Sequence, residues 1–257
     1  MTPDPSHQGR PASEDSAEAG ELPLLFIAPH QDDELLSMGA AIKAAVAHGR
    51  EVAVLIVGRG NKSVVRTRDL PVLLGYIPSE WEFARVRDRE FRWCVENLGA
   101  RAILPSYVER LDERTFTADA VTDFIRTFGS REVEVHTLTA LGDLNPDHVA
   151  CAQAAAALHA EGWLTRPPRF YTHVSRRRAV EELGYAVAPE GRHTPVTRAD
   201  QEPYRFTDLA TERWGVGYRS VPYMFEAQLT DPAAYRVLGP SPHAALNAGW
   251  RSSTPSS

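Results

Sequence analysis

Short apolar runs alternate along this chain with longer stretches whose apolar residues recur at helical spacing. Leu22 to Ala28 is the first run and Val52 to Val57 the second. Between them, the apolar positions of Leu35 to Ala47 follow the period of a helix, and Gly49 stands where a helix end needs the left-handed backbone that glycine adopts cheaply. A second helix is expected from about Trp81 to Leu98, closed by Gly99. Strand Ala102 to Leu104, helix Ala118 to Phe128, strand Val133 to Leu138, helix His148 to Ala160 and strand Phe170 to Val174 continue the alternation. Strand and helix in turn predict βαβ units, and so an α/β, Rossmann-like three-layer fold around a mostly parallel sheet.

Two internal segments break the rhythm. Gly58 to Ser79 is polar and Arg-containing and reads as a loop. After Val174, Pro and Gly recur and no period persists until a helix expected from Thr207 to Tyr218. Residues 1–21 hold Pro, Ser, Gly, Asp and Glu with almost no large apolar side chains, too few to offset their ordering entropy by burial, so a disordered N-terminal tail is expected. Residues 240–257 have a similar character and are expected to form a flexible C-terminal tail. One domain over 22–239 remains, with the part from about residue 175 walling a pocket. No internal repeat is visible.

Composition narrows the function classes. The 257 residues carry a formal net charge of −6 and no run of five basic side chains, so no nucleic-acid partner is expected. The only lysines are Lys43 and Lys62, a bias that points to a GC-rich bacterial genome. The two cysteines, Cys94 and Cys151, cannot make a four-cysteine zinc site and fit a reducing cytoplasm. The longest apolar runs are too short to cross a bilayer, and no leader-like segment opens the chain, so a cytoplasmic protein without a membrane span is expected.

The candidate chemistry lies at strand ends. Ala28-Pro29-His30-Gln31-Asp32-Asp33-Glu34 follows the first strand, at the carboxyl edge where open α/β sheets bind ligands. His30 and Asp33 are three residues apart, so one turn of chain can bring both to a single metal ion. Asp32 between them points elsewhere and is free to hold and deprotonate a metal-bound water. Alternatively, Asp32, Asp33 and Glu34 simply cap the next helix, where negative charge meets the positive end of the dipole. A second cluster, Asn145-Pro146-Asp147-His148, also follows a strand and opens a helix. There His148 can supply a third ligand and leave one position open for water and substrate, as catalytic zinc sites require.

These segments resemble the LmbE-like, or PIG-L-type, zinc-dependent deacetylases, a family that includes N-acetylglucosaminyl-phosphatidylinositol de-N-acetylases. Pro29 to Glu34 matches the family's proline-histidine-x-aspartate-aspartate-glutamate motif. Asp147 and His148 match its histidine-x-aspartate-histidine motif except at the first position. Arg87 and Glu90 look like its arginine-x-x-glutamate segment, and the similarity spans roughly Leu22 to Val174. The resemblance implies that His30, Asp33 and His148 bind Zn2+ and that Asp32 is the general base. It makes Asp147 a residue that orients a histidine, although an N-cap for its helix is the plainer account of the same aspartate.

Asn145 stands where the family has a histidine thought to protonate the leaving amine or stabilise the oxyanion. An amide can donate a hydrogen bond to an oxyanion but cannot give up a proton at neutral pH. Either Asp32 returns the proton itself, or His136 or His173 fills the role, or activity is lost. The expected function is therefore N-deacetylation of an amino sugar or glycosylated secondary metabolite, with a catalytically impaired zinc- or ligand-binding protein of the same fold as the alternative. The expected partner is a small N-acylated amino-sugar molecule, and the sequence leaves the oligomeric state open. Candidate substrate contacts are Arg66, Arg68, Arg87 and His173, with Arg59 in the same loop as the first two. A dinucleotide-binding domain is disfavoured because no G-x-G-x-x-G follows the first strand.

Overall fold

A computed structural model describes residues 21–239, so the tails expected at 1–21 and 240–257 fall, apart from Glu21, outside the described residues. The strands are β1 (Leu24–Ala28), β2 (Val52–Ile56), β3 (Arg101–Ile103), β4 (Glu134–Leu138), β5 (Arg169–Thr172), β6 (Ala186–Glu190), β7 (Thr207–Asp208), β8 (Arg213–Trp214) and β9 (Ala234–Leu238). The helices are α1 (Asp33–Ala47), α2 (Val65–Arg68), α3 (Leu70–Leu74), α4 (Glu80–Asn97), α5 (Ala118–Phe128), α6 (Pro146–Ala160), α7 (Arg177–Glu182), α8 (Arg198–Arg205), α9 (Val216–Ser220) and α10 (Pro222–Thr230).

The uninterrupted apolar run of β1 is the mark of a strand covered on both faces. Leu24, Phe26 and Ala28 join a core with residues of α1, α4, α8 and α10, whereas Leu25 and Ile27 point the other way into a core built largely from α5 and α6. Three layers result. The seven-stranded sheet has the order β3-β2-β1-β4-β5-β9-β6, with β3 through β5 parallel and β9 pairing antiparallel to both β5 and β6. The Rossmann-like, mostly parallel sheet read from the sequence is thus the one found.

Strand order reverses between β1 and β4. The chain leaves β1 toward β2 on one side, and β4 leads to β5 on the other, so their following loops diverge and open a crevice at the carboxyl edge. Both sequence clusters sit there. Ser79 starts α4 with a reciprocal capping box to Glu82, and Gly99 follows its end at φ 82°, so both ends of that helix are set locally.

Two expectations need correction. The helix expected over Thr207 to Tyr218 does not form. Asp208 instead accepts from the Ala210 amide in a short 3-10 turn, Glu212 and Gly215 take left-handed backbones at φ 53° and 63°, and β7 pairs with β8. An aspartate that bonds its own downstream amides offers the chain an alternative to the helix, and two left-handed residues end any continuation. The segment 58–79 is also not a plain loop, since it carries α2 and α3. Among the described residues, no helix is long and apolar enough to cross a membrane.

Candidate metal centre

The loop after β1 is folded by its own carboxylates. The His30 amide donates to Asp33 Oδ2 at 2.9 Å, and the Asp32 amide donates to Glu34 Oε2 at 3.1 Å. The Tyr204 hydroxyl, from α8, donates to the other oxygen of Glu34. Asp32 itself sits at φ 124° and ψ −27°, a conformation that L residues rarely adopt. Strain of this kind costs on the order of 1–3 kcal/mol and persists only where surrounding bonds over-determine it. Arg87 of α4 adds to that restraint, donating to the Gln31 carbonyl, to the Gly60 carbonyl at 3.3 Å and to Asp32 Oδ2 at 3.1 Å. Asp32 occupies the N-cap position of α1, yet its side chain makes no capping bond, so helix capping does not explain the carboxylate.

Close approach of backbones sets the loop's depth. A Cβ on Gly58, just past β2, would lie 2.6 Å from the Pro29 carbonyl oxygen, so only glycine lets the loops after β1 and β2 pack this tightly.

His30, Asp33 and His148 converge across the crevice, with their ligand atoms all within 4.8 Å of one another. Asp33 Oδ2 lies 3.3 Å from His30 Nδ1 and 3.3 Å from His148 Nε2. The second nitrogen of each ring is also held by a carboxylate: His30 Nε2 is 2.9 Å from Asp147 Oδ2, and His148 Nδ1 is 2.7 Å from Asp143 Oδ2. A neutral imidazole has one N–H and one lone pair. With the outer nitrogens donating to Asp147 and Asp143, the inner nitrogens present lone pairs toward Asp33, a repulsive arrangement unless a cation or extra protons lie between. A tetrahedral zinc with bonds of about 2.0 Å separates its ligand atoms by about 3.3 Å, so the donor set and both measured edges fit that ion.

The charge balance points the same way. Burial alone would lower the pKa of His148, but the Asp33 carboxylate and the bond to Asp143 outweigh it and push the group up to about 10. His30 is likewise raised, with burial opposed by Asp147 and Asp33. Burial pushes Asp33 up, but the two histidines hold its carboxyl far below the usual range. Asp32 goes in the other direction: burial, with Asp33 nearby, raises it to about 7 against the pull of Arg87.

These groups open onto a cavity of about 740 Å3 that is also lined by Asn145, Asp147, Arg87, His173, Arg59, Lys62, Arg176 and Tyr223. Asn145 is the N-cap of α6, its side-chain oxygen accepting from the Asp147 amide at 3.0 Å. Asp147 is therefore not the cap, and its carboxylate is left for His30. Arg66 and Arg68 are not part of the lining: Arg66 donates to the Pro78 carbonyl at 3.0 Å, and Arg68 pairs with Asp69 at 2.8 Å. Arg59 lines the cavity but is tied to Asp112 and to the Tyr107 and Arg110 carbonyls. His136 is buried in β4, where its Nδ1 meets the Tyr171 hydroxyl at 3.0 Å, and it is not among the lining residues.

One partner, Asp143, was not anticipated from the sequence, and Glu90, named there with Arg87, gains a structural role. Asp143 holds His148 and is itself paired with Arg176. Glu90 accepts from the amides of Val216 and Gly217 at 2.8 and 3.2 Å, so one face of α4 anchors the motif loop through Arg87 and the start of α9 through Glu90.

Comparison with known proteins identifies the family and the fold. The family described as GlcNAc-PI de-N-acetylase, PIG-L, matches residues 25–159, more than half of the chain. No curated protein sequence matches it. Among solved structures, a deacetylase triple mutant of the teicoplanin biosynthetic pathway aligns with 84% of this chain and 96% of its own, at 19% identity and TM-score 0.56. The A40926 pseudoaglycone deacetylase Dbv21 aligns with 84% of this chain and 95% of its own, at 18% identity and TM-score 0.51. The 4-carboxy-2-hydroxymuconate hydratase GalB from Pseudomonas putida KT2440 covers 85% and 97%, at 15% identity and TM-score 0.49. At identities this low the likeness to the two deacetylases is one of fold alone.

Proposed function

The chain belongs to the PIG-L, or GlcNAc-PI de-N-acetylase, family, and from that membership we propose that it is a zinc-dependent N-deacetylase of an N-acetylated amino sugar or glycosylated secondary metabolite. The observation that carries this reading is the convergence of His30, Asp33 and His148, with Asp32 beside them, on one cavity. Zinc held by those three side chains would polarise the amide carbonyl and acidify a water beside it.

In this proposal the chain's own residues divide the remaining work. Asp147 and Asp143 orient the two imidazoles through their outer nitrogens, which fixes the tautomers that leave lone pairs on the inner ones. Arg87 holds the Asp32 carboxylate toward the cavity. Asp32 takes the proton of the attacking water, and the new C–O bond converts the amide to a tetrahedral oxyanion. Collapse breaks the C–N bond, and Asp32 hands the same proton to the departing nitrogen, giving acetate and a free amine. A carboxyl held near neutrality suits both halves of that exchange. Asn145 donates no proton, and its oxygen is committed to the helix cap, which is why the return falls to Asp32.

The missing acid at Asn145 favours a second reading, in which the chain binds zinc and ligand but turns nothing over. Incubating the zinc-loaded protein with a panel of N-acetylated amino sugars and glycosides and assaying free amine decides between them. Amine release that disappears in His148→Ala and Asp32→Asn supports the deacetylase. No release from any member of the panel, or equal release by Asp32→Asn, would sink it.

A further inference from the structure

The oxyanion needs a hydrogen-bond donor besides the metal ion, and the family's histidine position is filled here by a capping asparagine. Most cationic groups in the cavity wall are already engaged: Arg176 by Asp143, Arg59 by Asp112 and Lys62 by Glu80. Among the described residues, two buried side-chain nitrogens of the lining have no partner, Arg87 Nε and His173 Nε2. The rest of the Arg87 guanidinium is committed to the motif loop and to the Gly60 carbonyl, so of these two His173 is left.

His173 follows β5, the parallel neighbour of β4, and so sits at the same carboxyl edge as the turn that carries Asp143 and His148. It is 3% exposed and lines the same cavity as the three candidate ligands. Its tautomer is set by the backbone. The Ser175 amide donates to His173 Nδ1 at 3.1 Å, and the Ser175 hydroxyl lies 2.8 Å from the same atom. A backbone N–H can only donate, so Nδ1 is an acceptor, and the single proton of the neutral ring must be on Nε2. The side chain therefore presents a fixed N–H.

We propose that His173 is a further catalytic residue, whose Nε2–H donates a hydrogen bond to the oxyanion formed when water adds to the amide carbonyl. This rests on the deacetylase reading above. As the water oxygen bonds to the carbonyl carbon, the π electrons move to the carbonyl oxygen, and His173 meets that charge without giving up its proton. Burial depresses the ring to about 4, with the Met224 backbone pulling the other way. The ring therefore remains a neutral donor through the physiological range.

The test uses the full-length, zinc-loaded protein with His173→Leu, which removes the donor, and His173→Gln, which can return an N–H to a similar position. Removing one oxyanion donor lowers kcat about 10²–10³-fold. The expected result is a loss of that size in the Leu variant, with KM, zinc content and thermal midpoint close to wild type, and partial recovery in the Gln variant. Because the ring is a donor only, the acid limb of the kcat profile should stay where it is in the Gln variant. Two measurements do not depend on turnover. Nitrogen-15 NMR should place the His173 proton on Nε2, and acetate, whose carboxylate oxygen stands in for the oxyanion, should bind zinc-loaded wild type more tightly than the Leu variant. A proton on Nδ1, equal acetate affinity, or undiminished kcat in a fully loaded Leu variant overturns the role of His173. Absence of turnover in the wild type itself would count against the deacetylase reading, with the acetate comparison still deciding His173.

Discussion

The backbone of Asp32 makes a sharp prediction about stability. Two variants, Asp32→Ala and Asp32→Gly, remove the same carboxylate and leave Arg87 with the same missing partner, so those losses cancel in the comparison. What differs is the Cβ at φ 124°. At an unstrained position alanine is more stable than glycine by about 0.4–1 kcal/mol, because glycine has more unfolded-state freedom to lose. Here the Cβ adds strain on the order of 1–3 kcal/mol. Taken at the middle of both ranges, the difference leaves glycine ahead by about 1.3 kcal/mol, and for a domain of this size that corresponds to roughly 3–5 °C in thermal midpoint. Both proteins should be compared after chelation, since bound metal adds a concentration-dependent term. Neither should deacetylate. An alanine variant that melts at or above the glycine variant would refute the argument, because the loop would then accommodate a side chain without strain.

Other consequences are independent of that loop's strain. Asp143→Asn should weaken zinc binding by about 10–100-fold in chelator competition, since the carboxylate orients His148 without ligating, and the metal-free protein should also melt lower because Arg176 and His148 lose their charged partner. Gly58→Ala should cost about 1–3 kcal/mol in denaturant unfolding, because the new methyl must push the Pro29 carbonyl away from 2.6 Å, and zinc affinity should fall with it as His30 shifts. Burial pushes Glu90 from 4.5 up to about 8, with the Val216 amide and Arg87 opposing. A carboxyl raised in the folded state contributes stability that is full below its unfolded value and is lost as pH rises toward the folded one. Wild type should therefore lose stability between about pH 4.5 and 8, and the urea midpoint of Glu90→Gln should gain on it across that window.

Much of the fold was legible because its signals are local. The consecutive apolar residues of β1, the helical period before Gly49 and the glycine that closes α4 each state an element without reference to distant contacts. Placing His30 and His148 at strand ends was enough to bring them to one crevice, since the sheet's order reversal does the rest. Asp143 was not legible. It reaches His148 through the turn that precedes α6, and an aspartate five residues ahead of a helical histidine follows no fixed period. Arg87 illustrates a different failure: a basic residue near a motif reads as a substrate contact, whereas only its depth of burial on α4 reveals that it is tied to Asp32 and two carbonyls. The expected helix over 207–218 failed because its spacing said nothing of the left-handed backbones at Glu212 and Gly215, which depend on what surrounds them.

The candidate ligands come from loops on opposite sides of the seam where β1 meets β4, and that has a mechanical consequence. A cation bound there would act as a clasp between two stretches of the polypeptide far apart in sequence, adding to the ladder that pairs β1 with β4. Amides flanking the seam should exchange hydrogen more slowly in the loaded protein than in the stripped one, while those at the far edge near β6 should hardly notice.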